Sequence, residues 1–78
     1  MQLTYTLMIS ESGFEKDISV ASDQELIKTL SILRDNGLIT IECDDTVRAR
    51  SHRKGINISV NKTYEQSGVY NGDVIEII

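Results

Sequence analysis

The hydrophobic pattern of this chain predicts an α+β domain with one helix packed across a mixed sheet of four to five strands. Three observations carry that expectation: a long period-two alternation at the amino end that doubles back on itself, a single stripe of aliphatic residues at helical spacing, and a closing run with four apolar residues in six.

Between Gln2 and Ile9, the residues Leu3, Tyr5, Leu7 and Ile9 alternate with Gln2, Thr4, Thr6 and Met8, which is the signature of a half-buried strand. Ser10 to Gly13 supply turn chemistry, and Gly13 can take the positive φ that a hairpin bulge needs. A second alternation follows, with Phe14, Ile18 and Val20 on one face and Glu15, Asp17 and Ser19 on the other; Lys16 is the exception on the apolar side. The two segments form a hairpin.

Ser22 and Glu25 have the spacing of a capping box, which predicts a helix starting at Asp23. Leu26, Ile27, Leu30 and Leu33 fall on one stripe and should lie on the sheet, while Gln24, Lys28, Ser31 and Asp35 face solvent. Asn36 and Gly37 end the helix, glycine being suited to the left-handed residue beyond its last turn.

Leu38 to Cys43 is apolar enough to be extended, but Asp44 and Asp45 interrupt it, so the third strand is expected later. Val47 and Ala49 should point into the core while Arg48 and Arg50 point outward. His52 to Gly55 turn the chain into a short strand through Ile56, Ile58 and Val60. After turns at Gly68 and at Asn71-Gly72, Asp73 to Ile78 forms a last strand apolar enough to be central, beside the first.

Composition limits the function classes. A chain of 78 residues is a single domain, residues 1–78, with a small core. With 40% hydrophobic and 26% charged residues it belongs with folded rather than disordered chains. A formal charge of −4 argues against nucleic acid or an anionic membrane as partner. The lone Cys43 cannot form an internal disulfide, so a reducing, cytoplasmic setting is expected. Met1 to Ile9 lacks the basic leader and continuous apolar stretch of a signal peptide, and no run reaches the roughly 18 apolar residues of a spanning helix. Membrane insertion is therefore not expected.

The order of elements, with the closing words Gly68-Val69-Tyr70-Asn71-Gly72-Asp73-Val74-Ile75-Glu76-Ile77, resembles the ubiquitin-like (β-grasp) superfamily over the whole chain. In that superfamily a short helical turn ends in an aliphatic residue, here Val69, and leads through a polar turn into a strand of alternating aliphatics, here Ile75 and Ile77. Within it the chain is most similar to the YukD/EsaB group, small ubiquitin-like proteins associated with type VII (WXG100-exporting) secretion in Gram-positive bacteria. The resemblance implies a non-catalytic adaptor or regulatory protein whose partner is a component of the secretion machinery. The alternative is a β-grasp carrier of sulfur transfer or conjugation. Such carriers act through a flexible Gly-Gly tail, whereas this sequence reads Ile77-Ile78 at that point, so neither chemistry is expected.

No catalytic, cofactor or metal site is expected. Cys43 has no basic neighbour in sequence and lies beside Asp44 and Asp45, which oppose thiolate formation, so a packing role is favoured. His52 is the only histidine and is expected on the surface. Asp44 with Asp45, and Glu11, Glu15 and Asp17, lack the ligand spacing of a calcium loop and are read as solvated turns. The basic run Arg48, Arg50, His52, Arg53 and Lys54 stands out against the acidic chain. If its members share one face, they form a positive patch for an acidic protein partner; otherwise they protect a sheet edge from aggregation. No aromatic residue interleaves the arginines to stack on bases, which disfavours nucleic acid further.

Overall fold

The computed structural model describes residues 1–42, 44 and 46–78. Its elements are β1 (Gln2–Ile9), β2 (Phe14–Ala21), α1 (Leu26–Asp35), β3 (Ala49–Ser51), β4 (Ile56–Ile58), α2 (Tyr64–Ser67) and β5 (Val74–Ile77). One five-stranded sheet has the order β2-β1-β5-β3-β4. β5 runs parallel to β1, and every other pair is antiparallel. The apolar closing strand is central and lies beside the first, as its composition predicts.

Alternation along β1 fixes which face is covered. Leu3, Tyr5, Leu7 and Ile9 are buried, together with Val20, Leu26, Leu30, Ile75 and Ile77. The register sets Ile18 opposite Tyr5 and Val20 opposite Leu3, so the apolar residues of β2 extend the same layer. Lys16 faces Leu7 in that register yet remains exposed, which a strand on the sheet edge permits. Leu26 and Leu30 close the layer from α1, with Ile27 and Leu33 partly buried at its margin. Complete burial of a leucine such as Leu30 contributes about 1.5–3 kcal/mol.

The start of the helix departs from expectation. Glu25, not Ser22, is its N-cap, and no side chain caps it. The cause is tertiary: residues 22–25 pair with 62–65 instead of turning into the helix. Glu65 N donates to Ser22 O at 2.9 Å, Tyr64 N donates to Gln24 O at 3.1 Å, and Glu25 bridges Thr63. The first helical N–H groups find loop carbonyls, Leu26 N with Lys62 O at 3.3 Å and Ile27 N with Val60 O at 2.9 Å. A side-chain cap is unnecessary once those donors are satisfied. Ser22 is buried and donates its hydroxyl to Glu65 Oε2 at 3.2 Å. The capping box that does form is at α2, between Thr63 and Gln66. At its other end α1 stops as predicted: Gly37 takes a φ of 76°, and Gly37 N and Leu38 N reach back to Arg34 O and Leu33 O.

Three strand limits also shift. β3 begins at Ala49, leaving Val47 and Arg48 ahead of it; β4 ends at Ile58, so Val60 is buried outside the strand; and β5 omits Asp73 and Ile78. Leu38 to Glu42 form no strand. Cys43 and Asp45, and the roles expected of them, lie outside the described residues.

A chain of hydroxyls crosses the core. Tyr5 Oη meets Tyr64 Oη at 2.7 Å, Tyr64 donates to Thr29 Oγ1 at 2.8 Å, and Gln24 Nε2 donates to the same oxygen at 2.7 Å. The chain ties β1, α2 and α1 together without leaving a buried polar atom alone.

Candidate protein-binding surface

The sheet face away from α1 carries the polar half of every strand. In register across its middle run Glu15, Met8, Glu76, Arg50 and Asn57, one from each strand. A strand's side chains alternate between faces, so with Ala49 and Ser51 buried, Arg50 must stand on the open side. Arg48 is exposed as well, and its carbonyl accepts from Ile78 N at 2.9 Å, which continues the β3–β5 pairing by one position. The two arginines therefore share the outward face expected of them.

The basic run does not form one patch. Arg50 and His52 lie near an acid that sequence reasoning missed, Glu76 of the central strand, which the register sets opposite Arg50. His52 Nε2 lies 2.8 Å from Glu76 Oε1, and the Ser10 hydroxyl donates to Glu76 Oε2. These bonds, first that of Ser10 and then that of His52, hold the Glu76 carboxyl below its usual value, with help from the charge of Arg50. Arg53 and Lys54 instead turn toward Tyr70, with the Arg53 guanidinium carbon 5.3 Å and Lys54 Nζ 5.7 Å from its ring centroid. The split follows from the hairpin: β3 ends at Ser51, and beyond a strand end side chains no longer alternate.

The acidic candidates take local roles. Asp44 is exposed and accepts from both the amide and the hydroxyl of Thr46, which lower its pKa, the hydroxyl first. Asp17 accepts from Thr6 Oγ1 at 2.5 Å, while Glu11 and Glu15 are exposed. No group of three or more His, Cys, Asp and Glu side chains among the described residues could hold a metal ion. Among the same residues no helix is long and apolar enough to cross a membrane. A groove of about 450 Å³ between α1 and β2, lined by Ile18, Val20, Ile32 and Leu33, is remote from the basic residues and meets the hydroxyl chain at Gln24 and Thr29.

No protein-family model and no curated protein matches this sequence. Solved structures do match in fold. The C-terminal ubiquitin-like domain of mouse tubulin-specific chaperone e aligns with a TM-score of 0.72 at 13% identity, covering 99% of this chain and 84% of that one. The ubiquitin of Caldiarchaeum subterraneum aligns with a TM-score of 0.67 at 18% identity, covering 100% and 92%. The ubiquitin-like domain of EccD5 from Mycobacterium xenopi aligns with a TM-score of 0.57 at 15% identity, covering 100% and 93%. Element order, a parallel pairing of first and last strands, a helix across one face and these alignments agree: the chain has the ubiquitin-like β-grasp fold.

Proposed function

We propose that this protein is a non-catalytic adaptor or regulatory component of a bacterial type VII secretion system, acting by binding a protein of that machinery through its open sheet face. The observation that carries the binding role is the pair Arg48 and Arg50, exposed side by side on a sheet face of an otherwise acidic chain. Charges placed this way steer an acidic partner more than they stabilise the fold. The secretion assignment is supported by the closing motif's similarity to the YukD/EsaB group, and EccD5 supplies a ubiquitin-like domain of the same fold.

The test is complementation of a strain from which the gene has been deleted. The wild-type gene should restore export of WXG100 proteins, and R48Q/R50Q should not, although it folds. Export undiminished by the deletion would sink the secretion assignment. Full rescue by R48Q/R50Q would sink the role of the arginines.

A further inference from the structure

Two turns, one between β3 and β4 and one ahead of β5, stand side by side because a single residue holds both. Asp73 is only 1% exposed. Its Oδ2 accepts the Ser51 hydroxyl at 2.7 Å, and its Oδ1 accepts Arg53 N at 3.1 Å. Ser51 Oγ in turn accepts Lys54 N at 3.3 Å, and Asp73's own amide donates to Tyr70 O at 3.1 Å. The backbone at Arg53, Lys54 and Tyr70 is thus fixed around one buried carboxylate.

The frame presents an aromatic ring and two cations together. Tyr70 is 57% exposed, with the two cations against its ring. Among the described residues neither Arg53 nor Lys54 forms an ion pair. The Lys54 ammonium occupies the space that a side chain at Gly68 would fill, so that glycine leaves room for it. Tyrosine, with two side-chain torsions, offers contact area at little ordering cost, and tyrosine and arginine are among the residues enriched at the energetic centres of protein interfaces.

We infer that Arg53, Lys54 and Tyr70 form a second binding surface, separate from Arg48 and Arg50, for an acidic protein segment. Two distinct cations suit two single carboxylates along such a segment, and the ring covers the apolar part of the chain between them. The inference rests on the proposed protein-binding role but uses other residues, so the two can fail separately.

The test is titration of the ¹⁵N-labelled full chain with hexaglutamate at low salt, followed by amide shifts. The shifts should centre on Arg53, Lys54, Tyr70 and Asn71 and shrink as ionic strength rises to about 0.15 M. R53Q/K54Q should weaken binding by about tenfold and Tyr70→Ala by about threefold, both with well-dispersed spectra. R48Q/R50Q should leave it within about twofold. Shifts centred on Arg48 and Arg50 would overturn this inference and leave the open-face reading intact. No shifts at all would overturn it too, while the complementation result would still stand or fall alone. A phosphoserine peptide of equal charge binding more than about tenfold tighter would reassign the surface to phosphorylated partners.

Discussion

β1 and β2 have eight residues each and pair along their whole length, whereas β3 and β4 have three each. The long hairpin is specified by hydrophobic alternation, because a slip of one residue would turn Leu3, Tyr5, Leu7 and Ile9 out to solvent. The short one has too few apolar positions for that. Ile56 is exposed, and Ala49 and Ile58 are its only apolar pair in register. Its geometry comes from polar bonds to Asp73 instead. One half of the sheet is held by a layer of aliphatic side chains; the other has only Ala49 and Ile58 in that layer and adds backbone pairing with β5 and one carboxylate.

The strongest blow to the aliphatic half is Leu30→Ala, in the middle of the buried helix stripe. Chemical denaturation should show a loss of about 2–5 kcal/mol, while the exposed Lys28→Ala should change stability by less than about 0.5 kcal/mol. Equal midpoints would mean that α1 does not pack on the sheet through this stripe.

Asp73→Ala tests the polar half. It strips the partner from the buried Ser51 hydroxyl and from the Arg53 and Val74 amides, at a cost of about 1–3 kcal/mol. Native-state hydrogen exchange should quicken at Arg53 and Lys54 more than along β1 and β2. Uniform acceleration across the sheet would erase the distinction between the halves.

The hydroxyl chain predicts a smaller, pH-dependent effect. Burial above all, then the charge of Tyr64 and the bond to it, pushes Tyr5 far above the ordinary tyrosine value of 10.0. Burial raises Tyr64 as well, against partial relief from its bonds to Thr29 and Tyr5. Above pH 10 the unfolded chain loses these protons while the folded one keeps them, so stability is complete below that pH and falls as pH rises past it. Tyr5→Phe should cost about 1 kcal/mol at neutral pH and lessen the alkaline decline. A wild-type midpoint that stays constant from pH 9 to 11 would contradict the burial of these hydroxyls.

Least costly to the fold is R48Q/R50Q, expected to change stability by less than about 0.5 kcal/mol, as measured by the denaturation midpoint. Glutamine is the proper choice. Glutamate at position 50 would stand directly across from Glu76, and like charges in register destabilise a sheet on their own account.

The fold was legible wherever a local rule and the tertiary structure agree. Period two marked β1 and β2, helical spacing marked the face of α1, and the apolar closing run marked the central strand. Prediction failed at Ser22 because a residue that can cap locally was recruited by Glu65, far away in sequence. The genuine box, Thr63 and Gln66, has the same spacing and was in plain view. The basic run was visible as charge, but its division was not, since Glu76, Ser10 and Tyr70 reach it only through the fold. Nor does any local signal distinguish the buried Asp73 from the exposed acids that usually follow a turn.

The parallel pairing of β1 with β5 has a consequence for how the molecule comes into being. Thr6 through Ile9 wait for Val74 through Ile77, and in the sheet β3 follows the first hairpin only by way of that same strand. A nascent chain that has emerged as far as α2 can form the long hairpin and a helix, yet it lacks both the middle of its sheet and the Asp73 that fixes the short hairpin. Closing the widest loop is therefore the step that joins everything else, and topology of this kind slows folding. Until the last strand arrives, the inner edge of β1 is an open template for strands of other chains.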